Sequence, residues 1–184
     1  VVAALTLFIA LSPWWDRALV TLYMATFGVV ISCLIGFTVG TLCFQNKKSA
    51  AFMLGVCDIF QTFPSFVYLI PVMMLFGITD TSVLIAVIVY ATIPATRYTI
   101  EGLRSVPVGL HEAATMSGVN KFQRLTKIEF PLAFPHMMLG LNQTIVFALF
   151  MVIIGAFIGT EDLGQYILKA LSDKNGAGIG LTLG

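Results

Sequence analysis

Long tracts without charged side chains limit what this chain can fold into more than any other feature of its sequence. Ala18 to Phe44 holds no ionisable charge, Ser49 to Thr79 holds only Asp58, and Phe130 to Thr160 holds only His136. Each tract exceeds the ~20 apolar residues that a helix needs to cross ~30 Å of hydrocarbon. Only 10% of the residues are charged, against roughly 25% in soluble domains. The sequence therefore predicts a membrane protein.

A fourth tract, Thr81 to Thr96, is shorter. It reaches spanning length if Arg97 snorkels towards the headgroups and the residues up to Ile100 are counted. The chain also begins in an apolar run that continues to Trp15, and it turns apolar again before Gly184. We therefore predict an all-α polytopic transmembrane helix bundle over residues 1–184, a single domain and a fragment, with four complete spans and truncated spans at both ends.

The positions of the basic residues predict the orientation, because Lys and Arg favour cytoplasmic loops. Three loops join the four predicted spans: residues 45–49, the tip at 78–80, and the long segment 101–129. Seven of the 10 basic residues lie in or beside the first and third loops: Lys47, Lys48, Arg97, Arg104, Lys121, Arg124 and Lys127. We expect these two loops to be cytoplasmic and Asp80 to lie on the opposite side.

The third loop has the polar, charged composition of a soluble protein. Pro107 and Gly118 bracket a short predicted helix, LHEAATMS, since proline favours helix starts and glycine helix ends. Asn120 and Gln123 have the spacing of a capping box for a second short helix, which we expect to end at Pro131. On that helix an apolar stripe runs beside a basic one. Such a loop either lies at the membrane interface as a simple connector or docks a cytosolic partner.

A spaced pattern within this loop favours docking. It consists of Glu112, Ala113 and Ala114, three residues, Gly118, nine residues, Ile128, one residue, then Phe130 and Pro131. This resembles the EAA motif of permease subunits of bacterial ATP-binding-cassette importers, with Phe130 where the family usually has leucine. The stretches 61–77, 140–159 and 162–171 are similar to the glycine betaine, proline betaine and choline importers in particular.

The resemblance implies a type I importer permease, multi-pass in the bacterial inner membrane, that moves a quaternary ammonium osmolyte by alternating access. It implies that segment 101–131 is a coupling loop seated on a separate cytosolic ATPase, through Glu112, Ala113, Ala114, Gly118, Ile128 and Pro131. Further implied partners are a periplasmic or lipid-anchored binding protein and a second permease copy, as a homodimer. The chain itself holds no Gly-x-x-x-x-Gly-Lys-Ser/Thr loop, so ATP is expected on the partner.

Asp58 is an ionisable group within a predicted span and is therefore a candidate functional residue. At ~1.5 Å per residue it lies ~12 Å from the cytoplasmic face, a depth similar to that of Arg97. We expect an ion pair between the two. A gate or substrate contact, and a hydrated carboxylate near the cytoplasmic mouth, remain alternatives.

Aromatic residues cluster around Pro64, and aromatic faces bind quaternary ammonium groups. Phe63, Phe66 and Tyr68 are therefore candidates for the substrate path, beside the alternatives of packing and lipid contact. Asn142, with Gln143 and Thr144, lines the path or bonds between helices. Pro64 and Pro71 are expected to loosen their helix. The stretch EDLGQYILKAL (161–171) predicts an amphipathic helix on the outer surface, as a lid.

Other functional classes fit less well. A self-sufficient secondary transporter or channel subunit usually builds an ion site at the membrane midplane, and these spans carry a single carboxylate. A membrane enzyme needs a catalytic constellation, which two histidines do not make. Cys33, Cys43 and Cys57 lack metal-ligand spacing. We expect no catalytic residue, metal, cofactor or nucleic-acid partner. Apart from its protein partners, the chain is expected to contact only the lipid bilayer.

Overall fold

The computed structural model describes residues 15–156, apart from the side chain of Arg17. Every regular element in that range is helical, which confirms the predicted all-α class. The elements are α1 (Trp15–Phe44), α2 (Lys47–Thr62), α3 (Phe66–Phe76), α4 (Asp80–Arg104), α5 (Val108–Met116), α6 (Lys121–Arg124), a π-helical turn (Leu125–Glu129) and α7 (Phe130–Ala156). The predictions of truncated terminal spans and of a lid at 161–171 concern residues outside the described range.

Three continuous helical stretches in the described part are long and apolar enough to cross a membrane. They are Ala18–Phe44 within α1, Asp80–Arg104 as α4, and Lys121–Gly155 from α6 into α7. They coincide with three of the four spans predicted from the charge-free tracts. The α4 helix includes Arg97 and Tyr98, so the short fourth tract does extend through its arginine.

The prediction of one continuous span from Ser49 to Thr79 is wrong in one respect, because the structure has two helices in this stretch. The first ends at Thr62 and the second begins at Phe66, and they qualify as a fourth candidate span only when counted together as a broken one. Phe63 is extended, with φ −73° and ψ 137°, as expected for a residue that precedes proline. Pro64 therefore does more than loosen this span.

Cα packing divides the chain into two compact units. In the described range one comprises residues 15–28, 64–90 and 147–156, and the other comprises 29–63 and 91–146. Most of the candidate site residues belong to the second unit, which contains α2, α5, α6 and parts of the three long helices. In the first unit, Tyr90 of α4 packs on Tyr68 of α3 and on Phe147 of α7.

Small residues bring the helices of the second unit close together. A Cβ built on Gly36 of α1 would lie 2.4 Å from the Cβ of Ala95 and 2.9 Å from the backbone nitrogen of Thr96 on α4. A Cβ on Gly140 of α7 would lie 2.7 Å from the Cβ of Tyr98. Such approach of backbones is how helices associate where lipid removes the hydrophobic driving force.

We expect Gly36→Ala to destabilise the protein by about 1–3 kcal/mol, the usual cost of overpacking. Gly55→Ala is the matched control, since a Cβ on Gly55 in α2 meets no atom within 4 Å and alanine is the better helix former. Thermal unfolding in detergent should show a lower midpoint for Gly36→Ala only. Equal midpoints for the two variants would contradict the close α1 to α4 contact.

Candidate functional site

The first helix of the predicted coupling loop forms where the sequence placed it. Helix α5 follows Pro107 and ends at Met116, and Gly118 has φ 70°. The amide of Gly118 donates to the carbonyl of Thr115 at 3.1 Å, and the amide of Val119 donates to the carbonyl of Ala114 at 3.1 Å. This pair of bonds is a Schellman motif, whose left-handed position favours glycine.

The second helix begins with the predicted capping box. The amide of Gln123 donates to Asn120 Oδ1 at 2.8 Å, and the amide of Asn120 donates to Gln123 Oε1 at 3.2 Å. These bonds satisfy backbone donors that a helix N-terminus leaves without a partner. The two local turns therefore fix how the chain leaves α5 and enters α6.

The prediction that Pro131 ends the second helix is wrong. After α6 the chain makes a π-helical turn and continues into α7, so that Pro131 lies in the first turn of a 27-residue helix. The amide of Phe130 donates to the carbonyl of Leu125, five residues earlier. A proline ring clashes with the carbonyl four residues before it, and the wider π turn just before Pro131 relieves that crowding.

The structure brings four of the six predicted coupling residues together. Ala113, Ala114, Ile128 and Pro131 line one open apolar depression of about 540 Å³ between α5 and the start of α7. Ala114 is only 5% exposed, so its part in this surface is to pack α5 onto the chain.

The other two predicted coupling residues lie apart from that depression. Glu112 is exposed and lines a smaller depression of about 280 Å³ with His111, Thr115 and Met116. Gly118 is exposed, and a Cβ built on it meets no atom within 4 Å. The residue type at position 118 is therefore limited by the backbone conformation and not by the space around it.

A buried carboxylate lies within the predicted coupling loop. Glu129 is 2% exposed, and its Oε1 accepts from Arg124 Nε at 2.9 Å and lies 3.0 Å from His111 Nδ1. These three side chains belong to the π turn, the end of α6 and the middle of α5. They also line a cavity of about 380 Å³ that includes Phe44 and Gln45, at the turn after α1.

The predicted ion pair between Asp58 and Arg97 is confirmed. It joins α2 to α4, and Arg97 also donates through Nε to Glu101 Oε1 at 3.0 Å and through Nη1 to Gln61 Oε1 at 2.9 Å. With two carboxylates and one guanidinium, the formal charge of this network is −1. Asp58 is 58% exposed on the surface of this chain, so the carboxylate is not sealed inside it.

The remaining substrate-path candidates do not form one cluster. Phe63 packs edge-on against Phe60 at 6.0 Å between ring centroids, and Phe66 is the exposed first residue of α3. Tyr68 is 7% exposed and lies 5.0 Å from Tyr90. Asn142 is exposed on α7 and makes no side-chain hydrogen bond within residues 15–156. The neighbouring Thr144 is buried and donates to its own helix, at Gly140 O, 2.8 Å.

Comparison with known proteins decides the family. The model of the binding-protein-dependent transport system inner membrane component matches residues 28–183. The chain belongs to this family. It is thus an inner-membrane transport component, and the predicted kinship with importer permeases of the betaine type is confirmed.

Several relatives are named as permeases. The chain is 90% identical over 184 residues to the trimethylamine N-oxide transport system permease protein TmoV of Pelagibacter ubique, covering 100% of this chain and 26% of that protein. It is 50% identical over 164 residues to TmoV of Ruegeria pomeroyi, covering 89% and 25%. It is 37% identical over 157 residues to the glycine betaine/proline betaine permease ProW of Escherichia coli, covering 85% and 44%. The chain thus spans about a quarter of the length of the two TmoV proteins.

A solved structure supports the fold. A chain of the MetNI methionine ABC transporter, in an inward-facing form, superposes with a TM-score of 0.71 at 22% identity, covering 82% of this permease chain and 76% of that chain. At this identity the likeness establishes the shared permease fold and nothing about cargo.

The sequence alone does not single out Met116 or Glu129. Met116 is 89% exposed at the end of α5, and the apolar side chains of Val108 and Leu110 on the same helix are exposed as well. Glu129 stands between Ile128 and Phe130 at the edge of an apolar tract. An acidic residue in that position needs a partner, but nothing local shows that His111 supplies one.

Proposed function

We propose that this chain is the membrane-spanning, coupling part of an importer for a small trimethylated amine, with trimethylamine N-oxide as the cargo. The cargo assignment rests on the 90% identity to a permease named for trimethylamine N-oxide, against 37% to one named for glycine betaine and proline betaine. Trimethylamine N-oxide therefore joins the expected cargoes glycine betaine, proline betaine and choline, and it takes the first place among them.

The cargo chemistry is consistent with the candidate path residues. Trimethylamine N-oxide and glycine betaine share a positively charged nitrogen with three methyl groups, and aromatic faces attract such groups. Phe63, exposed at the break before Pro64, can offer such a face. The amide of Asn142 can donate to the anionic oxygen of the cargo. Asp58 is assigned to positioning Arg97 and not to cargo binding, since its carboxylate is already paired.

The coupling role is proposed for the surface of α5 and the adjoining depression. A separate cytosolic ATPase would bind there, contacting Glu112, Ala113, Ile128 and Pro131, while Ala114 and Gly118 fix the shape of the loop. The ATPase would hold the nucleotide, a periplasmic or lipid-anchored protein would deliver the cargo, and a second permease copy would complete the pathway. Support comes from family membership and from the exposure of apolar side chains on α5, such as Met116 and Val108.

The test of cargo uses the full-length transporter with its ATPase and binding protein in sealed vesicles. We expect ATP-dependent uptake of labelled trimethylamine N-oxide, with glycine betaine as the weaker competitor. Uptake without ATP would favour a self-sufficient transporter. Uptake of glycine betaine in preference to trimethylamine N-oxide would overturn the cargo assignment and leave the coupling proposal intact.

We also expect residues 45–49 and the 101–129 loop to face the cytoplasm and Asp80 to face the opposite side. The positive charge on the first and third loops is the physical reason. Cysteines introduced at Lys48 and Asp80, after replacement of Cys33, Cys43 and Cys57, should react with an impermeant maleimide from opposite sides of oriented vesicles. Labelling of both from one side would exclude this topology.

A further inference from the structure

Glu129 is the feature of this chain that neither the motif nor the proposed docking surface explains. It occupies the position of the motif between Ile128 and Phe130, where the pattern specifies no residue type. Its side chain is 2% exposed. Burying a carboxylate is costly unless it is paired and hydrogen-bonded, so the folded chain depends on His111 and Arg124 staying in place.

The three side chains link elements that the backbone joins only through two turns. His111 lies on α5, immediately before Glu112, whereas Glu129 directly precedes α7. Between them the chain passes through the Schellman turn and the capping box, which fix local direction but do not connect α5 with α7. The contact of His111 Nδ1 with Glu129 Oε1, at 3.0 Å, does connect them.

The π turn makes the second contact possible. In an α-helix, residues five apart lie about 140° apart around the axis, so Arg124 and Glu129 would point in different directions. The π turn over Leu125–Glu129 winds the chain more widely and brings Arg124 Nε to 2.9 Å from Glu129 Oε1. Single π turns are frequent at functional sites. Here the turn orients one carboxylate oxygen to receive two donors.

We propose that Glu129 is a positioning residue that couples α5 to α7, so that movement of α5 by a bound ATPase is passed to the membrane-spanning helix. This inference rests on the proposed coupling function. It assigns Glu129 no contact with the ATPase, because the side chain is buried within the chain. Loss of the link therefore leaves the docking surface present and lets α5 move without α7.

The test compares variants of the full-length transporter purified with its ATPase and reconstituted with its binding protein. Glu129→Gln keeps the size of the side chain and removes its charge. We expect unchanged ATPase content and basal hydrolysis within about twofold, with cargo-stimulated hydrolysis and uptake both reduced roughly fivefold to tenfold. Lys121→Gln is the matched control, since Lys121 lines the same cavity and is exposed, and it should behave like the unchanged protein.

Variants of His111 separate positioning from mere stability. Glutamine at this position can still donate to Glu129, so His111→Gln should keep most of the cargo stimulation, whereas His111→Ala should lose it. The double variant His111→Ala/Glu129→Gln should be no worse than either single variant, because both remove one link. Additive losses, or loss of the ATPase from the purified complex in Glu129→Gln, would show a role in folding or docking and overturn the proposal.

Failure of this inference is distinguishable from failure of the proposed function. If the unchanged transporter binds no ATPase, or hydrolyses ATP without stimulation by cargo, the proposed function itself is wrong. If the unchanged transporter is stimulated and Glu129→Gln is stimulated equally, only the positioning role is wrong.

Discussion

Replacing Gly118 with valine is expected to abolish cargo-stimulated ATP hydrolysis and uptake while the protein still inserts in the membrane. The φ of 70° at Gly118 costs a β-branched residue about 1–3 kcal/mol, so the chain would relax by changing the turn between α5 and α6. The Schellman bonds from Gly118 and Val119 would then be lost, and α5 would no longer lie against the start of α7. The measurement is hydrolysis with and without cargo in reconstituted vesicles.

Two controls separate strain from bulk at this loop. Gly118→Asn should retain much of the stimulation, because asparagine tolerates the left-handed conformation better than other residues with a Cβ. Gly109→Ala, on α5, adds a side chain where nothing lies within 4 Å and φ is not positive, and it should be nearly silent. Equal loss in all three variants would mean that the loop tolerates no change, and the conformational explanation would fail.

Glu112→Lys is expected to weaken binding of the ATPase at least tenfold, about 1.4 kcal/mol, or to uncouple hydrolysis from uptake if the complex survives. Glu112 is exposed, and it lies beyond the first turn of α5, which contains no acidic residue. Since the effect of the helix dipole fades within the first turn, the expected stabilisation of α5 by this carboxylate is small. The substitution therefore tests the interface and not helix stability.

Glu112→Gln provides a graded comparison for that prediction. It keeps hydrogen-bonding capacity and removes only the charge, so its loss of ATPase binding should fall between those of the unchanged protein and the lysine variant. Binding is measured by the amount of ATPase that co-purifies at increasing salt. Normal co-purification and normal stimulation in both variants would mean that the loop is only a connector between spans.

Local signals in the sequence were sufficient where the physical cause is local. Charge-free tracts predicted the spans because an uncompensated charge is costly in hydrocarbon. Pro107 and Gly118 predicted α5, and Asn120 with Gln123 predicted the capping box. The ion pair of Asp58 with Arg97 followed from their similar depth along two helices. In each case the deciding residues are close in sequence or share a depth that can be counted.

The sequence could not separate prolines that end a helix from prolines that do not. Pro71, Pro94 and Pro135 all lie inside helices, whereas the helix ends just before Pro64. Neighbouring elements can compensate for a missing backbone bond, and that compensation depends on packing. The prediction that Pro131 ends its helix is wrong for the same reason, since no local sequence pattern indicates the π turn before it.

The candidate path was the least predictable part of the site. Proximity in sequence suggested that Phe63, Phe66 and Tyr68 act together, but the break at Pro64 separates them and Tyr68 is buried against Tyr90. The burial of Glu129 was equally hidden, because its partner His111 lies on another helix. Contacts between distant elements are set by packing, which periodicity and spacing do not encode.

The central claim is that α5 and the adjoining depression bind an ATPase. A photoreactive amino acid in place of Met116, which is 89% exposed on α5, tests it directly in cells that make the full-length protein. Ile78, which is 64% exposed in the loop between α3 and α4, serves as the matched control. We expect a crosslink from position 116 to a polypeptide whose peptides include a Gly-x-x-x-x-Gly-Lys-Ser/Thr loop, and no such crosslink from position 78. A transporter that remains active yet gives no ATPase crosslink at 116, or gives one at 78, would show that the ATPase does not bind at α5.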